Sequence, residues 1–102
     1  MKKYRVFLLP SAYEDIKQAR QWYRQHNTDL PKKFKQRIQE TIERICNAPF
    51  AYAARYKDVR LAHLATFPYA VHFLVDETNC TVVILAIHHT AISPDKWPER
   101  LK

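Results

Sequence analysis

The sequence predicts an α+β fold, ordered β-α-α-β-β-β with a short C-terminal tail, in which a helical hairpin packs on a mainly antiparallel sheet. The longest apolar run, CTVVILAIHH at residues 80–89, is apolar on both faces, as in a strand inside a sheet. Two segments with helical periodicity and two with strand alternation precede it. At this length, 102 residues, a single domain over residues 1–102 is expected.

The first strand is predicted at Tyr4–Leu9, where apolar and β-prone residues run up to Pro10. A helix should follow over Ser11–His26. Ser11 and Glu14 have the spacing of a capping box, in which each side chain binds the other's backbone N–H. The apolar positions that recur at helical spacing are Ala12, Ile16, Ala19 and Tyr23.

The second helix is predicted to begin near Pro31, after the turn Asn27-Thr28-Asp29, and to end near Asn47, before Pro49. Its apolar stripe consists of Phe34, Ile38, Ile42 and Ile45. Since the connection is short, the two helices should form an antiparallel hairpin.

The remaining strands are expected to form an antiparallel meander. Phe50–Lys57 is interpreted as a loop, and Asp58–Leu64 and Tyr69–Val75 as strands. The turn DETN then leads into the central strand. Simple alternation along that strand places Val82, Ile84 and Ala86 on one face and Val83, Leu85 and Ile87 on the other. The first strand must return from far along the chain, at or near an edge.

Composition bears on partners more than on fold. The formal net charge of +7 favours a polyanionic partner, such as RNA, DNA, a ribosome surface or an acidic protein, over a merely solvated basic surface. The absence of glycine excludes Gly-rich phosphate loops. Cys46 and Cys80 lie far apart in apolar surroundings, which is typical of reduced thiols in the cytoplasm. No signal-peptide pattern or membrane span is evident.

Several segments together resemble the RelE/ParE superfamily of bacterial type II toxins, and the ParE, or plasmid-stabilisation, branch in particular. The resemblance spans nearly the whole chain. Its most specific part is the corner Phe67-Pro68-Tyr69 followed by a strand and then by an ending of the form AxxHT…P…W…R. The other segments that carry it are LLPSAYEDIKQARQWY, Phe34, Pro49, VRLAHLATFPYAVHFLV and AIHHTAISPDKWPER.

The resemblance implies a small cytoplasmic toxin that a cognate antitoxin neutralises, usually by wrapping it with a helix and an extended segment in a hetero-oligomer. RelE-like members cut mRNA on the ribosome, whereas studied ParE-like members poison DNA gyrase, and the shared fold does not choose between them. Many relatives carry an arginine where this chain has Ile92. That departure favours gyrase poisoning over RNA cleavage and leaves open an attenuated toxin that only binds its antitoxin.

Under the RNA-cleaving alternative, the candidates for catalysis are Arg60 and His89. Arg60 matches an arginine that RelE-like enzymes use on phosphate, and His89 is the better acid–base candidate of two adjacent histidines that face opposite sides of a strand. Arg55 and Lys57 could complete a basic rim with Arg60. A solvated basic face and a packed histidine are the structural alternatives.

The remaining candidates concern binding. Lys96, Trp97 and Arg100 are assigned to the target surface with the basic rim, although Trp97 also suits a role in anchoring the tail. Tyr13 and Trp22 are candidates to face the antitoxin. No metal-ligand spacing is found, His63 and His72 included, and no cofactor is expected.

Overall fold

The computed structural model describes residues 3–26 and 29–91 and confirms the predicted α+β architecture with one additional strand. The elements in chain order are β1 (Arg5–Leu8), α1 (Pro10–Arg24), α2 (Leu30–Asn47), a 3-10 turn (Pro49–Ala51), β2 (Ala54–Tyr56), β3 (Val59–His63), β4 (Tyr69–Asp76) and β5 (Thr81–His89).

The five strands form one sheet in the order β1-β5-β4-β3-β2. β5 lies inside the sheet, as the sequence predicts, between β4 on one side and β1 on the other. β1 is an edge strand and runs parallel to β5, with Arg5 opposite Thr81 and Leu8 opposite Ile84. All other neighbours are antiparallel.

The helices α1 and α2 pack together on one face of this sheet, which we call the helix face. Their apolar stripes join residues of β3, β4 and β5 in one core cluster. Phe34 of α2 and Phe73 of β4 are among its largest fully buried side chains. Among the described residues, no helix is both long and apolar enough to cross a membrane.

The predicted capping box does not form. Pro10 occupies the first position of α1, so that Leu9 is the N-cap and makes no side-chain capping bond. A proline suits this position because its missing N–H would have no partner there. Ser11 therefore lies inside the helix, and its hydroxyl donates instead to the backbone oxygen of Leu85, at 2.9 Å.

The interpretation of Phe50–Lys57 as a loop was also wrong. This segment contains the 3-10 turn and β2, which pairs with β3 through Ala54 opposite Arg60 and Tyr56 opposite Val59. The pairing is irregular between Ala54 and Tyr56. So short and irregular an edge strand carries no alternation that a sequence pattern could reveal.

A β-bulge in β5 overturns the predicted assignment of its two faces. Phe73 of β4 is opposite Ile84, and the preceding residue, His72, is opposite Ala86, so that Leu85 is the extra residue. A bulge of this kind reverses the alternation beyond it. Ala86 therefore joins Leu85 in the cluster on the opposite face, whereas Ile87 joins the helix-face cluster.

Candidate functional site at the end of β5

A groove of about 680 Å³ opens between α1 and the end of the sheet where β5 exits. Its inner surface is mainly apolar, with a few polar side chains at the strand exit. It is lined by Asp15, Gln18, Ala19, Trp22 and Tyr23 from α1, Pro68 and Tyr69 at the start of β4, and Ile87, His88 and His89 of β5. The sequence did not predict that α1 takes part in this groove.

Two side chains of α1 hold the bulge that shapes the groove. Ser11 donates to the Leu85 oxygen, and one helical turn later the Asp15 carboxylate accepts the Ile87 N–H at 3.0 Å. Residues four apart lie on the same side of a helix. Together the two bonds satisfy backbone groups at the point where the bulge disrupts the ladder. They fix the direction in which β5 leaves the sheet.

The helix wall of the groove is aromatic. Trp22 is 55% exposed, and its indole stacks on the His26 imidazole with ring centroids 4.0 Å apart and planes 24° apart. His26 Nδ1 lies 2.9 Å from the Trp22 carbonyl oxygen and donates to it. The Trp22 ring also meets the Tyr23 ring edge-on at 5.3 Å. These contacts hold a large, exposed apolar surface in a fixed orientation.

On the strand wall, the His89 ring packs edge-on against Tyr69, with centroids 5.2 Å apart. The Ala91 N–H donates to His89 Nδ1 at 3.1 Å, which assigns the ring hydrogen of the neutral imidazole to Nε2. The Thr90 N–H donates to the Pro68 oxygen at 2.8 Å. The end of β5 is thereby tied to the turn before β4.

The phenols beside the groove are kept neutral. Burial raises the pKa of Tyr69 above its usual value. Burial, and after it the neighbouring Tyr69, raises the pKa of Tyr23. Desolvation acts in this direction because it penalises the phenolate. The groove thus combines apolar rings with the Asp15 carboxylate and the histidine nitrogens as polar groups.

A second polar cluster lies on the opposite face of the sheet. The Tyr56 hydroxyl is 3.0 Å from Nδ1 of the fully buried His72, and the His72 and His88 rings meet edge-on at 5.0 Å. His88 and His89 therefore face opposite sides, as the sequence predicts. The sequence did not predict the Tyr56–His72 bond. In the part of the chain that the structure describes, no group of three or more His, Cys, Asp or Glu residues is placed to hold a metal ion.

The predicted basic rim lies at the far end of the sheet. Arg55 is on β2, and Lys57, with φ 49°, is in the turn to β3; both are exposed. Arg60 is half-buried, and its guanidinium donates to the Tyr52 carbonyl. The same guanidinium lies 5.0 Å from the centroid of the Phe50 ring.

The structure does not bring Arg60 and His89 together. Arg60 is opposite Phe73 and His89 is opposite Tyr69 on the intervening strand β4. Four residues of a strand span about 13 Å. Arg60 also contacts residues at the turn before β2, whereas His89 lines the groove.

The two candidates for antitoxin contact lie on opposite flanks of α1. Tyr13 and Trp22 are both exposed but nine positions apart, which at about 100° per residue is two and a half turns. This separation was available from the sequence. Ile92, Lys96, Trp97 and Arg100 lie outside the described residues.

Both the sequence and the fold of this chain match those of known proteins of toxin–antitoxin systems. The family model described as the ParE toxin of the type II toxin–antitoxin system, parDE, matches residues 6–94. The fold is similar to a chain of the chromosomal ParDE system from P. aeruginosa, with a TM-score of 0.69 and 20% identity over 85% of this chain and 96% of that chain.

It is also similar to a chain of the RelBE2 toxin–antitoxin complex from Mycobacterium tuberculosis, with a TM-score of 0.63 and 19% identity over 90% of this chain and 97% of that chain. No curated protein matches significantly. Because the family model spans most of the sequence, the chain belongs to the ParE toxins of type II toxin–antitoxin systems.

Proposed function

We propose that this protein stops bacterial growth in the cytoplasm by binding and poisoning DNA gyrase, and that a cognate antitoxin neutralises it by occupying the groove beside α1. The observation that favours binding over RNA cleavage is the separation of Arg60 from His89. Metal-free RNA cleavage needs an acid, a base and a fixed cation around one phosphate. A separation of about 13 Å along the sheet exceeds that reach.

The contacts of each residue support the same preference. The Arg60 guanidinium already binds a carbonyl oxygen and an aromatic ring. The Nδ1 lone pair of His89 already accepts a backbone N–H. With Ile92 at the position of the family's arginine, ribosome-dependent mRNA cleavage is the second candidate. Under it, Arg60 and His89 remain the residues to test.

For the gyrase proposal, Arg55, Lys57 and Arg60 form one target surface, and Lys96, Trp97 and Arg100 are assigned to it from the sequence. Purified protein should inhibit supercoiling of relaxed plasmid by gyrase, and pre-incubation with the antitoxin should restore it. Unchanged supercoiling at high excess of toxin contradicts the proposal.

Induced expression separates the alternatives in cells. Filamentation with an SOS response is expected for gyrase poisoning. Rapid arrest of translation, with new mRNA 5′ ends detected by primer extension, would instead identify an RNA-cleaving toxin. Antitoxin binding without growth arrest would identify an attenuated toxin.

The groove suits an antitoxin segment with apolar side chains and nearby carboxylates. Its aromatic wall offers the kind of large, fixed apolar contact that dominates protein interfaces. His89 Nε2–H supplies a hydrogen-bond donor. The net charge of +7 favours an acidic partner through electrostatic steering.

Substitution of Trp22 tests this assignment. Trp22→Ala should weaken antitoxin binding by roughly 30-fold or more, as expected for an aromatic hot spot of about 2 kcal/mol, and should leave growth arrest intact. Tyr13→Ala, an exposed aromatic on the other flank of α1, is the matched control. Equal losses for the two variants would contradict a docking site in the groove.

A further inference from the structure

The positive charge of this protein is concentrated on the helical hairpin. Residues 17–37 contain seven Lys or Arg against one Asp, whereas the rest of the chain contains ten against nine. We define the basic hairpin surface as Lys17, Arg20, Arg24, Lys32, Lys33, Lys35 and Arg37. It belongs neither to the groove nor to the rim around Arg60.

The packing of the two helices brings two of these cations, Arg20 and Arg37, to the seam between them. The rings of Tyr23 on α1 and Phe34 on α2 are 5.6 Å apart between centroids. Arg20 lies three residues before Tyr23 on α1, and Arg37 lies three residues after Phe34 on α2. Because the helices are antiparallel, Arg20 and Arg37 lie at the same level along the hairpin. The surface therefore places like charges across the seam between the helices, which is unfavourable without an anionic partner.

Few of these charges are neutralised by other residues that the structure describes. The ion pairs among the described residues are Lys3–Glu43 and Arg37–Glu40, and only Arg37 belongs to this surface. The Nε atoms of Arg20 and Arg37 are buried and make no hydrogen bond within the described part of the chain. Arg20 and Arg37 are half-buried, and the other five side chains are exposed.

The lysines of α2 also oppose its dipole. Lys32, Lys33 and Lys35 lie in the first two turns, and no acidic residue lies in the first turn. Cations in the first turn of a helix, here Lys32 and Lys33, are unfavourable because the N-terminal end of the dipole is positive. A local arrangement that lowers stability in this way is expected where it serves binding.

We propose that the basic hairpin surface binds the phosphate backbone of a duplex nucleic acid without reading its sequence. From Lys17 to Arg24 the surface extends about 10 Å along α1. That length spans roughly three phosphates of one strand. A backbone requires only placed cations, whereas single strands require aromatic platforms and peptides require apolar anchors.

The positions of the exposed apolar side chains favour a duplex over a single strand or a peptide, because most of them lie away from the basic hairpin surface. Trp22 opens on the groove, while Val6 and Phe7 are on β1 and Phe50 is in the 3-10 turn. Among the exposed large hydrophobic residues of the described chain, only Tyr13 borders the basic hairpin surface, one turn before Lys17.

The test compares two variants with the same net charge, Lys32→Gln/Lys33→Gln on the hairpin and Arg55→Gln/Lys57→Gln on the rim. The full chain is titrated against a short fluorescein-labelled DNA duplex of mixed sequence over a series of KCl concentrations, with anisotropy as the readout. For the hairpin variant, the slope of log K against log salt should decrease by about 2, and K should fall roughly tenfold or more at 0.1 M salt. The rim variant should retain the slope of the unsubstituted protein.

An RNA duplex of the same sequence forms a second arm. Binding of a duplex more tightly than poly-glutamate supports a contact with the phosphate backbone. The duplex that binds more tightly of the two identifies whether DNA or RNA supplies that backbone. A poly-glutamate chain that binds more tightly than both duplexes would overturn the proposal in favour of an acidic protein partner. Loss of binding in the rim variant alone would also overturn it. Circular dichroism should show that both variants fold, and supercoiling assays test the gyrase proposal separately.

Discussion

On the helix face of the sheet, four aromatic rings pack together, with contacting centroids 5.1–5.6 Å apart. They belong to Tyr23, Phe34, Phe67 and Tyr69. On the opposite face, the buried apolar cluster of the described residues consists of Val59, Leu85 and Ala86. The opposite face also holds the partly buried Tyr56–His72 hydrogen bond. In the part of the chain that the structure describes, the same strands thus supply a face with much apolar bulk and a face with less bulk and a partly buried polar pair.

The two faces contribute differently to the stability and to the specificity of the fold. Apolar burial on the helix face contributes most of the stabilisation, because burial free energy follows the area removed from water. A buried polar pair adds little net stabilisation but is costly to leave half-paired, so it specifies one arrangement. Because of the bulge in β5, Ile87 lies on the helix face and Ala86 lies on the opposite face.

Truncation of a core side chain should lower the free energy of unfolding more on the helix face than on the opposite face. Phe34→Ala, on the helix face, should lower the free energy of unfolding by about 3–5 kcal/mol, because it opens a cavity among packed rings. Leu85→Ala, on the opposite face, should cost about 2 kcal/mol. Urea denaturation followed by circular dichroism measures both. Equal losses would mean that the two faces contribute alike.

The next effect concerns the bonds that fix the bulge. Asp15→Ala removes the acceptor of the Ile87 N–H and should cost about 1–3 kcal/mol, whereas Asp15→Asn retains an acceptor and should cost less. Hydrogen exchange of the Ile87 amide should accelerate most in the alanine variant. Glu14→Ala, at an exposed neighbouring position, is the control. Unchanged exchange would show that Asp15 does not hold the strand.

A smaller effect tests the polar pair on the opposite face. Tyr56→Phe removes the hydroxyl that binds His72 and should lower stability by about 1 kcal/mol. Tyr52→Phe removes a hydroxyl from another half-buried ring, which makes no side-chain hydrogen bond to another described residue, and is the control. Thermal unfolding at neutral pH should lower the Tm of the first variant only.

The smallest effect is a dependence on alkaline pH that belongs to the helix face. Tyr23 and Tyr69 have pKa values raised by burial, so the unfolded chain loses these phenolic protons at lower pH than the folded protein. Their contribution is constant well below pH 10.0, the ordinary phenol value, and stability falls as pH rises through it. Tyr23→Phe/Tyr69→Phe should flatten this decline. A decline of equal steepness in the variant would place its origin elsewhere.

The sequence was sufficient for the fold because its apolar periodicities agree with the tertiary arrangement. Phe34 and Ile38 lie on a helical stripe, and Val71 and Phe73 alternate along a strand. The bulge could not be predicted, because β5 is apolar on both faces and a change of side leaves its pattern unchanged. The capping box failed because Pro10 satisfies the same helix end without it.

The site was predictable only in part. Trp22 and His89, which were singled out from the sequence, both line the groove. The groove itself depends on the distance between α1 and β5, which no local pattern encodes. Arg60 and His89 are far apart for the same reason, since their separation depends on strand register.

The parallel pairing of β1 with β5 has a consequence for the timing of synthesis. Arg5 is opposite Thr81, so β1, which is translated before the other described strands, waits for the last of them before it acquires its partner. Such long-range pairing is slow to form. Until β5 has been translated, the hairpin has no complete sheet to cover, and neither the groove nor the full helix face exists. A newly made chain therefore acquires a complete groove only after β5 has joined the sheet.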